Sequence, residues 1–283
     1  LGDVPQLSFD GNSRAAVPAH ADFLPGSGND FTVECRVRTT QAADVAMVGH
    51  KDWGSGLNPG WVFSFVYPSG PGWRVNAGDG SSRIDLDGPP IAEGEWHTLS
   101  CSFDRDGAMR MYTDGVLSDE APMSSLGNLD VGGLFFGADA FTAYGMEGTV
   151  AEVRYWDAAL DAATIADWHC APLTAAHPDW KSLLGHWPLD EGEGNVLEDL
   201  SGNAHHATNE GGAWGTDGGS VLWDYSQTPR LVDVPVMALA HLCIPIEDEW
   251  NLDGQPWLGT CFPTETETCT EDLDGDGLVT VAD

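Results

Sequence analysis

Acidic side chains are regularly spaced close to the C-terminal end of the sequence. Asp272, Asp274 and Asp276 stand at every second position of the run DLDGDGLVTVAD. Gly277 follows directly. Carboxylate oxygens at this spacing can surround one hard cation, and the glycine permits the sharp turn that this needs. The sequence therefore predicts a Ca²⁺ site here, with a solvated acidic turn as the alternative interpretation.

Aromatic residues beside amides and carboxylates offer a second kind of chemistry, the recognition of sugar hydroxyls against a flat apolar surface. The run HKDWGSGLNPGW contains Trp53 and Asn58, and the run GPGWRVNAGDG contains Trp73, Asn76 and Asp79. We interpret these five as candidate ligand-binding residues. Because tryptophan is mostly buried in proteins, a place in the core is the alternative for both indoles.

Residue patterns that would indicate catalysis are absent from the sequence. It has no Glu-x-Asp-x-x-Glu string of a glycosidase, no Gly-x-Ser-x-Gly and no His-Glu-x-x-His. The run GDGSSRIDLDG has glycines but no Lys-Ser/Thr pair that would bind phosphate. The pair His205–His206 lies in an Asn/Gly turn and is interpreted as surface residues. We predict no catalytic residues and no enzymatic activity.

The charge balance excludes several partners. With 11 Lys+Arg and 45 Asp+Glu, the net charge is −34. Binding to DNA, RNA or an anionic membrane needs a basic surface, so none of these is expected. No apolar run reaches the roughly 18–20 residues of a membrane span. The N-terminus lacks a basic segment followed by an apolar run, so either no signal peptide existed or it has been removed, and the cysteines favour removal.

The cysteines favour an oxidising compartment, and hence a secreted or extracellular protein, with attachment to a cell surface as one variant. There are six, at positions 35, 101, 170, 243, 261 and 269, without CxxC or zinc spacing. Cys35 and Cys101 lie in strand-like runs and are candidates for a disulfide. Cys243 and Cys261 bracket a short Pro/Gly/Trp-rich loop and are a second candidate pair. The partners of the other two are left open.

Short strands at regular intervals indicate an all-β antiparallel sandwich of two sheets. The run FTVECRVRT alternates apolar and polar residues, which predicts a strand with Phe31 facing a core and Glu34 facing solvent. The runs DRDG and TDG predict tight hairpin turns. The run DAALDAATIADWHC predicts a short helix with Asp161 as its N-cap.

Composition divides the chain into four parts. Residues 1–170 form the sandwich, and residues 171–225, too short and polar for a core of their own, are expected to pack on it or complete it. Residues 226–270 are a Pro-, Thr- and Glu-rich connection. Residues 271–283 contain the predicted Ca²⁺ loop.

Several runs resemble one family in order along the chain. LSFDGNSRAAVP, NDFTVECRVRT, EGEWHTLSCSFDRDGAMRMYTDG and GTVAEVRYWDAALDAATI are similar to strands of laminin-G-like, concanavalin A-type jelly rolls. KDWGSGLNPGWVFSF and GWRVNAGDGSSRIDLDG resemble a bacterial branch that is often attached to secreted hydrolases. The placement of Cys35 and Cys101 is similar to that of the single disulfide of pentraxins, which share the jelly roll.

The resemblance also bears on calcium at the rim of the sandwich. Where the family's closing strand often has an Asp-Glu pair, this chain has Ala151 and Glu152. A rim site that used the Asp would be weakened. Asp10, Asn12, Asp139 and Glu152 remain weak candidates for a rim Ca²⁺ site, and polar residues that cap loops are the alternative.

The C-terminal run resembles the first loop of a dockerin-like or EF-hand-like repeat, as in secreted Bacteroidetes proteins. The resemblance implies a full ligand set of Asp272, Asp274, Asp276, the Leu278 carbonyl, Thr280 and Asp283. Since such a loop precedes a helix, we expect the protein to continue beyond residue 283.

The sequence leaves two main functions open. The first is a non-catalytic secreted or cell-surface module for binding or adhesion, with a glycan or an extracellular protein as its ligand. The second is a subunit of an extracellular filament or surface layer, a homo-oligomer in which the apolar run VPVMALAHLCIPI (234–246) contacts other copies. A jelly-roll hydrolase with an unrecognised site is a third, weaker alternative.

Overall fold

The structure is a computed structural model that describes residues 5–65 and 72–216. The strands of this part are β1 (Pro5–Asp10), β2 (Arg14–Val17), β3 (Phe31–Arg38), β4 (Ala46–Gly49), β5 (Gly60–Phe65), β6 (Gly72–Gly78), β7 (Arg83–Pro90), β8 (Trp96–Phe103), β9 (Ala108–Thr113), β10 (Val116–Pro122), β11 (Leu134–Phe136), β12 (Glu147–Trp156), β13 (Leu183–Trp187), β14 (Val196–Leu197), β15 (Ala207–Glu210) and β16 (Ala213–Thr216). One α-helix, α1 (Ala162–Trp168), and two 3-10 turns, Ala21–Phe23 and Trp180–Ser182, complete this part. No helix in the described ranges is long and apolar enough to cross a bilayer.

The strands form two antiparallel sheets, which confirms the predicted jelly-roll sandwich. The first sheet has the order β10-β9-β8-β3-β12-β1-β16, with β13 also paired to β12. The second has the order β14-β15-β2-β11-β4-β5-β6-β7. The strands β13 to β16 therefore add to both sheets.

Aromatic side chains fill the space between the sheets. The ring of Phe31 stacks on Phe103 with centroids 4.1 Å apart and on Tyr155 at 5.7 Å. Trp61 from the second sheet lies 6.1 Å from Phe31. All four side chains are at most 1% exposed. Because each such burial contributes roughly 2 kcal/mol, this cluster joins the two layers firmly.

Both faces of β3 are buried, which corrects the prediction of a solvent-exposed polar face. Thr32 and Glu34 are at most 2% exposed. The chain that follows β12 crosses this face: the Thr32 hydroxyl donates to the carbonyl of Ala158 at 2.7 Å and accepts from the amide of Leu160 at 2.9 Å. The prediction was wrong because alternation shows only that two faces differ in polarity. It does not show that a later segment covers one of them.

The disulfide predicted between Cys35 and Cys101 is absent; both are free, buried thiols. On the paired strands β3 and β8, Cys35 stands opposite Leu99, and Cys101 stands opposite Val33. The cysteines are therefore diagonal neighbours, roughly 7–8 Å apart in such ladders, whereas a bridge needs Cα atoms closer than about 7 Å. Burial raises the pKa of both thiols. The pair Cys243–Cys261 lies outside the described residues.

The local predictions for turns and helix are confirmed. Asp114 and Gly115 join β9 to β10 with φ of 51° and 75°, the left-handed conformation of a type I′ hairpin turn. The helix α1 begins after Asp161, whose side chain accepts from the amide of Thr164 at 2.7 Å.

Replacing Asp161 with alanine is expected to lower the free energy of unfolding by about 1 kcal/mol, because the first turn of α1 loses its cap. Urea unfolding of the full chain measures this. Asp167→Ala, on the exposed side of the same helix, is the matched control and should change the free energy much less. Equal losses in both variants would contradict a capping role.

Candidate ligand-binding groove

A shallow groove crosses the outer face of the second sheet, where β11, β2 and β15 run side by side. Its volume is about 400 Å³, within the range of small-ligand sites. The residues that line it are Arg14, Ala16, Val17, Pro18, Ala19, Gly132, Gly133, Phe135, Thr208 and Glu210.

The register of the three strands creates the groove. Ala16 of β2 stands between Phe135 of β11 and Thr208 of β15. A methyl group at the centre, flanked by larger side chains, makes the floor lower than the walls. Gly133 keeps one end open: its φ is +69°, and a Cβ there would lie 2.8 Å from the Phe135 ring. Any side chain at this position would displace the ring.

Arg14 is fixed along one wall. Its Nε donates to Glu210 Oε2 at 2.7 Å and its Nη1 donates to the carbonyl of Ala140 at 2.6 Å. The guanidinium lies 4.6 Å from the centroid of Phe135, a cation–π arrangement. Within the described part of the chain, no group accepts a hydrogen bond from its Nη2. The groove thus has a rigid donor beside an aromatic ring.

The chemistry of these walls suits a polar ring molecule. Phe135 offers an apolar surface, Thr208 an exposed hydroxyl, and the Arg14–Glu210 pair a donor next to an acceptor. Sites for sugars combine a flat apolar surface with a few polar groups in this way. Among the described lining residues Glu210 is the one carboxylate, whereas glycoside hydrolysis generally needs two facing each other.

The structure places Trp53 and Asn58 away from this groove, in the loop between β4 and β5. Trp53 is 7% exposed and its Nε1 donates to Asp44 at 2.8 Å. The side-chain amide of Asn58 donates to the carbonyl of Asp52 at 3.0 Å. Both polar groups therefore form hydrogen bonds that stabilise the loop, and the buried indole has no surface exposed to a ligand.

The second predicted set, from the run GPGWRVNAGDG, also makes its contacts within the fold. Trp73 is fully buried and donates to Thr113. The Asn76 side chain accepts from Lys51 at 2.6 Å. Asp79 accepts from the amides of Gly127, Ser82 and Ser81, and these bonds hold the pKa of its carboxyl well below the usual value. Neither indole forms the exposed aromatic surface that the sequence suggested, since each packs inward.

In the described part of the chain, three of the four candidates for a rim Ca²⁺ site, Asp10, Asp139 and Glu152, do not form a group with ligand atoms within 4.8 Å of one another. Asp10 accepts from Asn12 and Ser13 within its own turn. Asp139 accepts from the amides of Trp53, Phe141 and Ala143.

Glu152 lies on the covered outer face of the first sheet, bonded to Arg154 and His186 at 2.9 and 2.8 Å. Burial alone would raise its pKa, but these two partners hold it well below the ordinary value. The C-terminal Ca²⁺ loop, Asp272 to Asp283, lies outside the described residues and stays a prediction, as does Ca²⁺ as the cofactor.

Sequence reasoning missed the groove. Arg14, Phe135 and Glu210 are far apart in the chain, and each is ordinary in its own run. The one local sign is the small-residue run RAAVPA at 14–19, which leaves a β-strand without bulky outward side chains. Only the pairing of β2 with β11 and β15 turns that run into a floor.

The family comparison agrees with this architecture. The model of a laminin G-type family in the concanavalin A-like lectin/glucanases superfamily matches residues 9–166, more than half of the chain. The chain therefore belongs to this superfamily. A second family model, described as a domain of unknown function, matches residues 173–258. A search among curated proteins finds no match.

Two solved structures share the fold at low sequence identity. A candidate carbohydrate-binding protein from Bacteroides ovatus is 17% identical with a TM-score of 0.60, over 77% of this chain and 61% of that one. The heptameric SAP-like pentraxin from Limulus polyphemus is 15% identical with a TM-score of 0.52, over 76% of this chain and 96% of that one. The chain thus spans 61% of the length of the Bacteroides protein.

Proposed function

We propose that the chain is a non-catalytic binding module of a secreted or cell-surface protein, and that the groove on β11, β2 and β15 binds a glycan. The observation that carries this proposal is the rigid Arg14–Glu210 pair beside the partly exposed ring of Phe135. Donor, acceptor and apolar surface stand within one open site of about 400 Å³.

The surroundings support a sugar more than an acidic polymer. The net charge of −34 repels nucleic acid and other polyanions over the whole surface. A short neutral or weakly charged glycan avoids that repulsion and meets one fixed cation. The fold shared with the candidate carbohydrate-binding protein of Bacteroides ovatus is consistent with this reading. The competing filament function depends on residues 234–246, which lie outside the described residues, and it stays a prediction.

Phe135→Ala is expected to weaken glycan binding by about tenfold or more, because the aromatic surface that packs against a ligand often contributes more than about 1.4 kcal/mol. A glycan array with the full chain identifies the sugar, and calorimetry with that sugar measures the loss. Glu210→Gln keeps the shape of the wall but removes its charge, and it should also weaken binding.

Leu117→Ala is the matched control, since Leu117 is an exposed apolar residue on the other sheet. It should leave the affinity unchanged. An array without any hit would contradict the proposal. So would a sugar whose affinity is the same for the wild type, Phe135→Ala and Glu210→Gln.

A further inference from the structure

Three metal-ligating side chains meet at the edge of the sandwich, outside the groove. His20 and Asp22 flank the start of the 3-10 turn after β2, and His205 precedes β15. One ligand atom from each lies within 4.8 Å of the other two. Asp22 Oδ2 is 2.8 Å from His205 Nε2, and its Oδ1 is 3.4 Å from His20 Nδ1. Each carboxylate oxygen therefore faces one imidazole, and the two imidazole rings lie with their centroids 4.4 Å apart.

The fold holds this cluster, here named the His20–Asp22–His205 cluster, in place. The backbone amide of His205 donates to Asp199 at 2.9 Å, and its carbonyl accepts from Trp187 Nε1 at 2.8 Å. The ring of Phe23 packs against the His205 ring with centroids 4.9 Å apart. The His205 side chain is thus held rigidly. The His20 side chain is 51% exposed, and its Nδ1 accepts from the backbone amide of Asp22 at 3.3 Å.

We infer that the His20–Asp22–His205 cluster binds one divalent transition-metal ion, for which Zn²⁺ is the natural probe. Two imidazole nitrogens and one carboxylate oxygen suit Zn²⁺ and its neighbours, whereas Ca²⁺ and Mg²⁺ prefer oxygen alone. Ligand atoms about 2.0–2.2 Å from a Zn²⁺ ion lie roughly 3.4 Å from one another. Asp22 Oδ1 already lies 3.4 Å from His20 Nδ1, and the 2.8 Å separation between Asp22 and His205 would lengthen by about 0.6 Å when the carboxylate turns toward the ion.

The charges around Asp22 favour a cation as well. Asp22 also lines a cavity of about 160 Å³ together with Asp30 and Asp157. The carboxylates of Asp22, Asp30 and Asp157 repel one another across this cavity. A metal ion bound to Asp22 would offset part of this repulsion. A glycan in the groove needs none of these residues, so the metal site is independent of the proposed function.

The test is calorimetric titration of the metal-stripped full chain with Zn²⁺, with Ca²⁺ in excess to occupy oxygen-only sites. We expect one Zn²⁺ per chain. His20→Ala and Asp22→Asn should each weaken binding by about tenfold or more, since even the loss of an outer hydrogen-bond partner costs a metal site that much. Titration with Co²⁺ should give a visible absorption band of low-coordinate Co²⁺, and both variants should lose it.

His206→Ala is the matched control. His206 is the next residue after His205, its side chain is 43% exposed, and it contacts Glu198 and the backbone amide of Asp199 rather than His20 or Asp22. Its loss should leave Zn²⁺ affinity unchanged. The inference is overturned by the absence of stoichiometric binding, by unchanged affinity in both His20→Ala and Asp22→Asn, or by equal weakening in His206→Ala. Circular dichroism confirms that the variants are folded.

Discussion

Replacing Arg154 with methionine is expected to lower the free energy of unfolding by about 3–5 kcal/mol, because two buried carboxylates lose their cation. The Arg154 side chain is 3% exposed. It makes two parallel bonds to Glu152, at 2.9 and 3.0 Å, and lies 3.7 Å from Glu34. Methionine fills much of the volume, so the loss measures the missing charge and its hydrogen bonds rather than a cavity. Those bonds include two donated to the carbonyls of Trp168 and Ala171 at 3.0 Å.

The pH dependence of this variant is a second readout. In the wild type, burial raises the pKa of Glu34 even with Arg154 nearby. Without Arg154, the pKa of Glu34 in the folded state should rise further, and the pKa of Glu152 should rise from its lowered value to above that of an unfolded chain, about 4.3. The folded variant then binds more protons than the unfolded variant. Its loss of free energy of unfolding relative to the wild type should therefore shrink as the pH falls toward about 4.3.

Arg110→Met is the matched control for Arg154→Met. Arg110 pairs with Glu120 at 3.2 Å, but its side chain is 37% exposed. Solvent screens such a pair, and its loss should cost less than about 1 kcal/mol. Urea unfolding at several pH values measures the free energy of unfolding of the wild type and of both variants. Equal, small losses in both variants would show that the buried ion network does not stabilise the fold.

The same network marks the limit of prediction from sequence. Alternation along β3 is a local property, and it correctly placed Phe31 and Val33 in the core. The polar side could not be assigned, because its cover comes from the segment around Leu160 and α1, more than 120 positions away. Once that segment is in place, Glu34 must be paired inside the protein. A pattern of charges in β3 does not show this.

The turns and the helix cap were predictable for the opposite reason. The turn at Asp114–Gly115 depends on backbone conformations that those two residue types adopt readily. The cap at Asp161 depends on an amide three residues ahead. The candidate binding sites resemble the buried network rather than the turns, because His205 and Asp22 are 183 positions apart. Nothing in either local run shows that the sandwich brings them together.

Acidification is expected to destabilise the wild type more steeply than the variant His50→Phe. His50 is 2% exposed and lies 5.1 Å from the ring of Trp61. Burial, with a smaller effect of the positive charge on Lys51, lowers its pKa to about 3. Its Nε2 has no hydrogen-bond partner within the described part of the chain. Phenylalanine therefore keeps the ring and removes the proton site.

The sign follows from proton binding in the two states. In an unfolded chain His50 takes up a proton near pH 6.5, whereas in the folded protein it stays neutral down to about pH 3. Between these values the unfolded state binds more protons, so its population rises as the pH falls. At pH 5 the loss from this residue is about 2 kcal/mol relative to neutral pH. Above pH 6.5 the full contribution to stability is present.

Urea unfolding at pH 7 and pH 5 tests this for the wild type, His50→Phe and the exposed-residue control His206→Gln. The wild type and the control should lose similar amounts of stability between the two pH values, and His50→Phe should lose about 2 kcal/mol less. The carboxylates titrate in all three proteins, so their contribution cancels when the losses of stability between pH 7 and pH 5 are compared. An acid-induced loss as large in His50→Phe as in the wild type would show that His50 accepts its proton without unfolding. The space beside Trp61 would then tolerate a charge that its burial should exclude.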